Sequence, residues 1–419
     1  MFLFRFFESF KINLERTILF LFGRIVLCIL LLYSISVSQS LSHNSFWFRS
    51  NQIKYDSGLN WKNLSSINPF FQDLFNKDDI KRRYKLIYQK YELVFNGPLY
   101  FISKNNFYGY CEPKISTSFV GKGNEGNINH SIGISSSGIG YMNEWVMFQI
   151  MKGRENWGAG NDISLALNKE SNQYDYIILF SNYGPVRVNY IHGFLETYDN
   201  SVNRYLNARG LEWTNNKNFV VSISETIVYS GKNRPFDIGY LNPISSHLEV
   251  ELNNRLNVTN TWNANAVWQL HLDWLIKDKS RFSFNYLIDE FTLDPKIEEG
   301  KRNSGAFSIK LSHSLFSKKE KFLTFNISKV SVGSQTFRHG LGTNNFVQSY
   351  KPLGWENGSD GDELVVGLSF LLNERIFLEI KGSNLSTKEE SLINNPYQSY
   401  NYLEGLYPAN RKYYAKYTS

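Results

Sequence analysis

Two adjacent carboxylates, Asp289 and Glu290, are the residues of this 419-residue sequence best suited by type to acid–base chemistry. Glycoside hydrolysis needs two carboxylates that face one another across the scissile bond. Asp289 and Glu290 follow an alternating run, Phe282 to Ile288, that predicts a β-strand, and adjacent side chains of a strand point to opposite faces. The pair therefore cannot share one site in a regular strand, and we do not expect a glycosidase.

Other chemistry-bearing residue types are scattered along the chain. The seven histidines lie in no recognisable motif for nucleophilic catalysis, and their spacing does not match that of a zinc site. The glycine-rich stretch from Gly121 to Gly126 lacks the lysine, the hydroxyl residue and the following helix of a phosphate-binding loop. We therefore predict that the protein is not an enzyme and holds neither a metal nor a cofactor.

The most distinctive short motif is the block from Trp157 to Asp162, which reads Trp-Gly-Ala-Gly-Asn-Asp. The indole could stack on a sugar ring while Asn161 and Asp162 bind the hydroxyl groups. Alternatively, the two glycines form a sharp bend where a strand turns inward, because glycine tolerates the backbone angles that such a bend needs. The structural role is favoured, and Arg154 and Asp162 are then expected to pair across a lumen.

The elements that position these residues follow from an alternation of apolar and polar residues that begins near residue 106. In a clear example, Ala266 to Ile276, one face is apolar and the other carries polar residues. Such runs are about 9–12 residues long, which suits a tilted strand that crosses a bilayer and exceeds the usual length in soluble sheets. The pattern predicts an all-β fold, a large antiparallel transmembrane β-barrel of about 16 to 18 strands with a small N-terminal helical periplasmic element.

Composition agrees with this architecture. Aromatic residues make up 16% of the chain, although its mean hydropathy is −0.34. A barrel with an apolar outer band, aromatic belts and a polar interior accounts for both values. A soluble β-sandwich would have shorter strands, and a propeller would show a repeat that this sequence lacks. The net charge is +7, but the basic residues are scattered, so we do not expect nucleic-acid binding.

The chain is expected to have three parts. Residues 1–40 resemble a cleaved signal peptide, because the apolar run from Ile25 to Val37 is too short to span a bilayer as a helix. Residues 41–105 are expected to form a helical periplasmic or plug segment, with Asp78 capping a helix that ends before Pro98. Residues 106–419 are expected to form the outer-membrane barrel.

Charged residues on the predicted strands fall into two groups. Four lie on the lumen side, where ion pairing is the default expectation: Arg187, Asp273, Asp289 and Lys310. Glu225 and Glu290 fall on the nominally apolar face, so each requires either a local bulge or a position beyond the edge of the bilayer.

Several blocks, in the same order, resemble the Wzi capsule-assembly family over roughly residues 140–382. A related group named RemB, linked to gliding motility, is similar enough that the two are not separated. The sequence departs from the family pattern at Ala159, where proline is usual, and in its polar tail, Lys416 to Ser419. The blocks that carry the resemblance are Lys152 to Leu167, Gly210 to Trp213, Val221 to Gly231, Tyr240 to Pro243, Leu287 to Phe291 and Pro352 to Glu363.

The resemblance implies a barrel that holds or organises capsular polysaccharide or exopolysaccharide at the cell surface, without catalysis. Its expected partners are that polysaccharide and outer-membrane lipid, and the chain is expected to be a monomer. A diffusion porin and a structural component of a surface-motility machine stay open as alternatives. The matching positions, in a structural or a polysaccharide-binding role, are Arg154, Trp157, Gly158, Gly160, Asp162, Glu212, Trp213, Glu225, Asn242, Pro243, Asp289 and Glu290.

Overall fold

Long alternating runs make up most of the chain, and in a computed structural model they form one antiparallel sheet. The predicted signal peptide, residues 1–40, lies outside the described residues. The structure describes residues 46–69, 85–89, 92–96, 100–120, 127–252, 264–277, 279–290, 304–318, 321–373, 376–399 and 414–418.

Seventeen strands belong to the main sheet in this described part of the chain. Thirteen of them have 8 to 16 residues, which is enough for tilted strands to cross a bilayer. The strands are β1 (Lys85–Gln89), β2 (Glu92–Asn96), β3 (Tyr100–Lys104), β4 (Phe107–Val120), β5 (Asn127–Met142), β6 (Val146–Gly153), β7 (Tyr174–Asn182), β8 (Val186–Tyr198), β9 (Val202–Thr214), β10 (Phe219–Lys232), β11 (Ala264–Ile276), β12 (Ser280–Glu290), β13 (Ser304–Lys318), β14 (Lys321–Val332), β15 (Val347–Gln348), β16 (Lys351–Pro352), β17 (Gly361–Asn373), β18 (Ile376–Thr387) and β19 (Tyr414–Thr418).

Helical elements are few among the described residues. The α-helices are α1 (Phe46–Asp56) and α2 (His247–Leu252), and short 3-10 turns cover Trp61–Asn63, Asp199–Ser201, Ile238–Tyr240 and Gly342–Asn344. No helix in the described ranges has the length and apolar character needed to cross a membrane.

From β4 to β14 each strand pairs antiparallel with the next strand along the chain. β14 then pairs with β17, because residues 333–360 leave the sheet and form only the small hairpin β15–β16. β17 pairs with β18, and β19 pairs with the last five residues of β18. Most of the short turns therefore gather at one end of the strands, and the long connections lie at the other, which we name the long-loop end and which also contains the three-residue turn between β8 and β9.

The two faces of the wall are as predicted. On β11, Leu270 and Trp274 are exposed and point outward, whereas Gln269, His271 and Asp273 are buried and point inward. Exposed apolar side chains occupy the outward positions of most of the other long strands as well. An apolar outside and a polar inside are the arrangement of a transmembrane barrel.

The helix predicted to end before Pro98 is wrong where its residues are described. Residues 85–96 instead form the hairpin β1–β2, in which Leu86 pairs with Phe95 and Tyr88 with Leu93. Each of these segments is a short run of three consecutive apolar residues, which suits a strand as well as a helix, and strand pairing lets their backbone groups join the main sheet. The sheet therefore begins at β1 rather than near residue 106, while Asp78 lies outside the described residues.

Four chain segments fill the interior. The lumen segment (residues 46–69) contacts both β9, through Ser66 and Glu212, and β18, through Arg49 and Glu379. Because those strands lie far apart in the order of the sheet, the wall curves around this segment. The other three are the first lumen loop (residues 154–173), the second lumen loop (residues 333–360) and the third lumen loop (residues 388–399), which share a hydrophobic core with inward side chains of the wall.

Candidate functional site

The tryptophan–glycine block forms a corner of the first lumen loop. Trp157 is 1% exposed, and its backbone N–H donates to the carbonyl of Leu167 at 3.1 Å. A Cβ atom on Gly158 would lie 2.3 Å from the carbonyl oxygen of Ile163, and Gly160 has a φ of +87°. Trp157 offers no open face to a polymer in this conformation, which favours the structural role for the motif.

This corner joins the barrel wall to the lumen segment. The N–H of Ala159 donates to Oδ1 of Asn285 at 2.8 Å, and the amide of Asn285 donates back to the Ala159 carbonyl at 2.9 Å. Proline, the residue usual here in the family pattern, has no N–H and could not make the first bond. Gly160 donates to Asp273 at 3.2 Å and accepts from Nε2 of Gln52 at 2.9 Å.

A buried ion network lies beside the corner. Nζ of Lys310 is 2.8 Å from Asp162 and 3.2 Å from Asp56. Arg281 bonds Asp56 at 3.0 Å and Asp273 at 2.9 Å. Asp273 and Lys310 therefore each have an ion-pair partner, as expected of lumen charges, and the network links α1 and the first lumen loop to β11, β12 and β13.

The pair predicted between Arg154 and Asp162 is wrong. The Arg154 guanidinium donates to the carbonyls of Lys169 and Ser171, each at 3.0 Å, and so closes the first lumen loop on itself. Asp162 faces the wall, where Lys310 neutralises it. The two side chains therefore have different partners, which sequence spacing alone does not reveal.

A cavity of about 40 Å³ adjoins this network, which is room for a few water molecules. Burial alone would raise the pKa of the Asp162 carboxyl, but Lys310, Lys381 and Lys169 lower it to about 2. Burial lowers the pKa of Lys169 to about 8, although Asp162 and Glu170 oppose the shift. The cavity is lined by Phe48, Arg49, Gln52, Ile53, Asp56, Asp162, Lys169, Lys310, Asn326, Ser369, Phe377, Glu379 and Lys381.

Glu212 fastens the lumen segment to a second part of the wall, on β9. Its carboxylate pairs with Arg187 at 2.8 Å and accepts from the backbone N–H of Ser66 at 2.8 Å. Arg187 in turn donates to the carbonyl of Leu64 at 2.6 Å. The next residue, Trp213, points outward and is exposed, so Glu212 and Trp213 do not belong to one site.

Glu225 points outward from β10 yet is buried. It pairs with Arg209 at 3.2 Å, accepts from the backbone N–H of His247 at 3.0 Å and accepts from the indole N–H of Trp268 at 2.9 Å. The pairing of β10 with its neighbours is regular at Glu225, so no bulge is involved. Residues 233–252, which we name the outer strap, cover this carboxylate from outside the wall.

Asn242 and Pro243 lie within the outer strap. The side chain of Asn242 accepts from the N–H of Ile244 at 3.1 Å and donates to the hydroxyl of Ser245 at 2.8 Å. These bonds fix a turn whose tip, Pro243 and Ile244, is exposed. Asn242 therefore shapes the strap rather than the interior.

Asp289 and Glu290 lie at the long-loop end of β12, where the register with β13 shifts between Ile288 and Glu290. The bulge expected near Glu290 is thus present, and the side chain of Glu290 lies outside the described residues. The buried carboxylate of Asp289 accepts from the backbone N–H of Phe337 at 2.5 Å and anchors the second lumen loop.

The structure also aligns three residues in the order of a serine hydrolase. Ser224 Oγ is 2.8 Å from Nε2 of His271, and Nδ1 of His271 is 2.9 Å from Oδ1 of Asn285. A base oriented by a third group is the arrangement that activates a serine. All three are buried in the lumen wall, and Asn285 also holds the backbone of Ala159, so a substrate has no approach to Ser224 in this conformation.

A group of three tyrosines, one exposed and two half-buried, occupies the long-loop end. Tyr198, Tyr350 and Tyr397 form the tyrosine cluster, with Tyr198 and Tyr397 stacked at 4.2 Å and Tyr350 edge-on to Tyr397 at 5.2 Å. Tyr350 is 66% exposed. Exposed rings beside hydroxyls and charges present flat apolar faces and hydrogen-bond partners together, which is the chemistry that a sugar ring requires.

Glu196 holds the tyrosine cluster together from beneath. Its carboxylate accepts from the hydroxyl of Tyr397 at 2.7 Å and from the N–H of Ser349 at 2.8 Å, and it pairs with Arg204. Arg204 also donates to the carbonyl of Val347 at 2.8 Å, within the second lumen loop. One carboxylate therefore joins β8, β9 and two lumen loops at the base of the cluster.

The hairpin that carries Tyr350 is held in an unusual backbone conformation. Ser349 has a φ of 46° and Tyr350 a φ of 64°, and positive φ at both central residues defines a type I′ turn. Asn-Gly is the usual choice there, because other residues pay a steric cost in the left-handed region. Such strain persists where the surroundings enforce it and is typical of functional positions.

Sequence reasoning missed most of this cluster. Tyr198 stood out only as one of several aromatics near strand ends, and nothing in the pattern joined it to Tyr350 or Tyr397. A two-residue hairpin between short polar runs, with a tyrosine at its tip, is the signal that could have drawn attention to Tyr350. No group of three or more possible metal ligands occurs among the described residues.

No protein-family model matches the chain, and no curated protein matches it in sequence. The fold resembles that of Wzi, an outer-membrane protein involved in group 1 capsule assembly in Escherichia coli and described as a carbohydrate-binding β-barrel. The TM-score is 0.52 at 10% identity, with 71% of this chain and 65% of that chain covered, so the match spans just under two thirds of Wzi.

Weaker likenesses include a bacterial polysaccharide outer-membrane secretin, with a TM-score of 0.36, 10% identity and 71% and 82% of the two chains covered. A mutant porin of Rh. blastica has a TM-score of 0.37 at 8% identity, with 71% and 85% covered. Neither score supports a conclusion about this chain. From the strand pairing, the two faces of the wall and the likeness to Wzi, the chain has a Wzi-like fold, an antiparallel β-barrel of the outer-membrane type.

Proposed function

We propose that this protein is a non-catalytic outer-membrane β-barrel that attaches or organises capsular polysaccharide or exopolysaccharide at the cell surface. The tyrosine cluster carries this proposal, because it places the exposed ring of Tyr350, two half-buried rings, their hydroxyls and charged groups together at one end of the barrel. The carbohydrate binding described for Wzi, which shares the fold, supports the same function.

The position of the cluster supports a role outside the cell. In outer-membrane barrels the turns on the periplasmic side are short and the extracellular loops are long. Tyr198, at the end of β8, and Tyr350, in the second lumen loop, both lie at the long-loop end. In this proposal residues 1–40 direct export and are cleaved, the barrel resides in the outer membrane as a monomer, and the tyrosine cluster faces the surface polymer.

Many weak contacts repeated along a polymer can retain it without a deep pocket. When one repeat unit is bound at a cluster, the linked repeat units are held at a high effective concentration near other clusters on the surface. Modest affinity for each repeat unit therefore produces strong retention of the whole polymer. The 40 Å³ cavity beside Asp162 is too small for a saccharide, so this cavity is not the proposed polymer site. The scattered positive net charge suits an acidic polymer.

A diffusion porin is the alternative with a direct physical signature. The lumen segment and the three lumen loops pack tightly against the inward side chains, which supports a barrel closed to solutes. Steady ion conductance of the purified protein in planar bilayers would favour the porin. The proposed function predicts that the protein conducts no measurable ion current.

Deletion of the gene tests the proposal in the cell. Polysaccharide is measured separately in the cell pellet and in the culture supernatant, at equal total synthesis. The proposal predicts a shift from the attached to the released fraction, restored by the wild-type gene. Equal attachment with and without the gene would contradict it, and loss of surface motility with normal attachment would favour a motility component.

A further inference from the structure

The outer strap (residues 233–252) packs on the outside of the barrel wall, not in its lumen. Tyr240 and Val250 of the strap are buried against outward side chains at the long-loop ends of the wall strands. Phe236 stacks on His192 of β8 with ring centroids 3.7 Å apart. The outward partners in this cluster are Tyr205, Ile227, Tyr229, Ala264, Ala266 and Trp268.

The strap covers polar groups that point away from the lumen. Glu225 and His192 are buried on the outer face, and Arg209 pairs with Glu225 there. An uncovered charge on a lipid-facing surface is costly. The strap reduces that cost, because the backbone N–H of its residue His247 donates to Glu225 from outside, beside the indole N–H of Trp268 on the neighbouring wall strand β11.

Beneath the strap, the uncovered apolar face of the wall is short. On β10 it runs only from Phe219 to Ile223, and its upper limit is level with Leu211 on β9 and Leu270 on β11. Four residue steps of a strand tilted by about 40° cover about 10 Å along the membrane normal, against an apolar band about 25 Å tall in outer-membrane barrels. The wall alone is thus too short in this sector.

The strap carries apolar residues where the wall lacks them. Ile244 is 88% exposed and Leu248 is 41% exposed. Leu248 directly follows His247, whose backbone N–H donates a hydrogen bond to Glu225. Asn242, next to the tip of the strap, accepts a hydrogen bond from Arg209 at its backbone carbonyl. These side chains therefore lie just above Leu211 and Ile223, where the exposed apolar band of the wall ends.

We propose that the outer strap completes the lipid-facing band over β8–β11, with Ile244 and Leu248 in contact with the acyl chains of outer-membrane lipid. The proposal rests on the membrane location in the proposed function. This placement explains why the upper part of the lipid-facing band over β8–β11 is formed by the outer strap rather than by the strands. A wall with outward Glu225, Arg209 and His192 could not face lipid directly, and the strap presents an apolar surface in their place.

Spin labels on single cysteines test this placement. In a background with Cys28→Ser and Cys111→Ser, labels are introduced by Ile244→Cys, by Leu368→Cys on the uncovered wall and by Tyr350→Cys at the rim. Each variant is reconstituted into vesicles of bacterial phospholipid. Collision rates are measured with oxygen, which concentrates in lipid, and with a water-soluble nickel chelate. Leu248→Cys provides a second strap position.

The proposal predicts that the Ile244 label, like the Leu368 label, collides several-fold more with oxygen relative to nickel than the Tyr350 label does. If the Ile244 label is as accessible to nickel as the Tyr350 label while the Leu368 label lies in lipid, the inference about the strap is overturned and the membrane location is not. A Leu368 label that is itself accessible to nickel would overturn the membrane location and therefore the proposed function.

Discussion

The rings of Tyr198 and Tyr397 stack with their centroids 4.2 Å apart, and this contact joins the rim of the barrel wall to the third lumen loop. Glu196 lies beneath them and also binds the second lumen loop through Ser349. The same contacts that close the lumen therefore shape the exposed aromatic surface.

Backbone strain at Tyr350 can be measured by comparing two substitutions that both remove the ring. Tyr350→Gly relieves the left-handed conformation, whereas Tyr350→Ala keeps a Cβ at a φ of 64°. We expect the glycine variant to have a free energy of unfolding about 1 kcal/mol higher than the alanine variant. Denaturant unfolding in lipid vesicles measures the difference, and equal stabilities would show that the turn is not strained.

Loss of one charge from the lumen network should destabilise the barrel. Asp162→Asn leaves the buried ammonium of Lys310 with Asp56 as its remaining carboxylate, so we expect the free energy of unfolding to fall by about 1–3 kcal/mol. Asp175→Asn, at an exposed position of β7, is the control and should change stability by less than about 0.5 kcal/mol. Equal effects of the two substitutions would remove the network from the account of stability.

The pH dependence of stability should report on Lys169, whose pKa is lowered to about 8 by burial. An unfolded lysine has a pKa of about 10.4, so between the two values the unfolded chain binds more protons and stability rises with pH. We expect Lys169→Met to lose this rise between pH 8 and pH 10. Urea midpoints of both proteins across that interval provide the measurement, and parallel curves would show that Lys169 is not perturbed.

The reactivity of the Ser224 hydroxyl tests the prediction that the protein is not an enzyme. Its hydroxyl is aligned with His271, but burial under the first lumen loop should keep any substrate away. We therefore expect the folded barrel to resist labelling by a fluorophosphonate probe, with Ser224→Ala as the matched control. Labelling of the wild-type protein that disappears in the alanine variant would reveal a serine hydrolase and contradict the non-catalytic interpretation.

Much of the architecture could be predicted because apolar outward residues and polar inward residues alternate along each strand of a membrane barrel. The alternation around Leu270 and His271 indicated correctly which side faces outward. The glycines of the Trp157 block indicated an inward turn, since Gly158 and Gly160 occupy positions that a side chain would disturb. In these places the local rule and the global fold agree.

The remainder depends on contacts between residues far apart in sequence. Short apolar runs such as the one around Leu86 and Tyr88 suit either a helix or a strand, and pairing with the sheet decides between them. Glu225 appeared misplaced because no local pattern shows that a later segment covers it. The tyrosine cluster likewise draws its members from β8 and from two different loops, so no spacing could indicate it.

Binding of purified surface polysaccharide by the reconstituted barrel tests the central claim most directly. The polymer is taken from the strain that carries the gene, and the dissociation constant is measured for the wild type, Tyr350→Ala and Tyr183→Ala. Tyr183 is the matched control, because it is 59% exposed in the short turn between β7 and β8, at the opposite end of the barrel. Loss of one stacking ring, worth about 1 kcal/mol, should weaken binding several-fold for Tyr350→Ala and leave Tyr183→Ala unchanged. Equal affinities for all three proteins, or an equal loss in both variants, would contradict the assignment of the tyrosine cluster as the polysaccharide site.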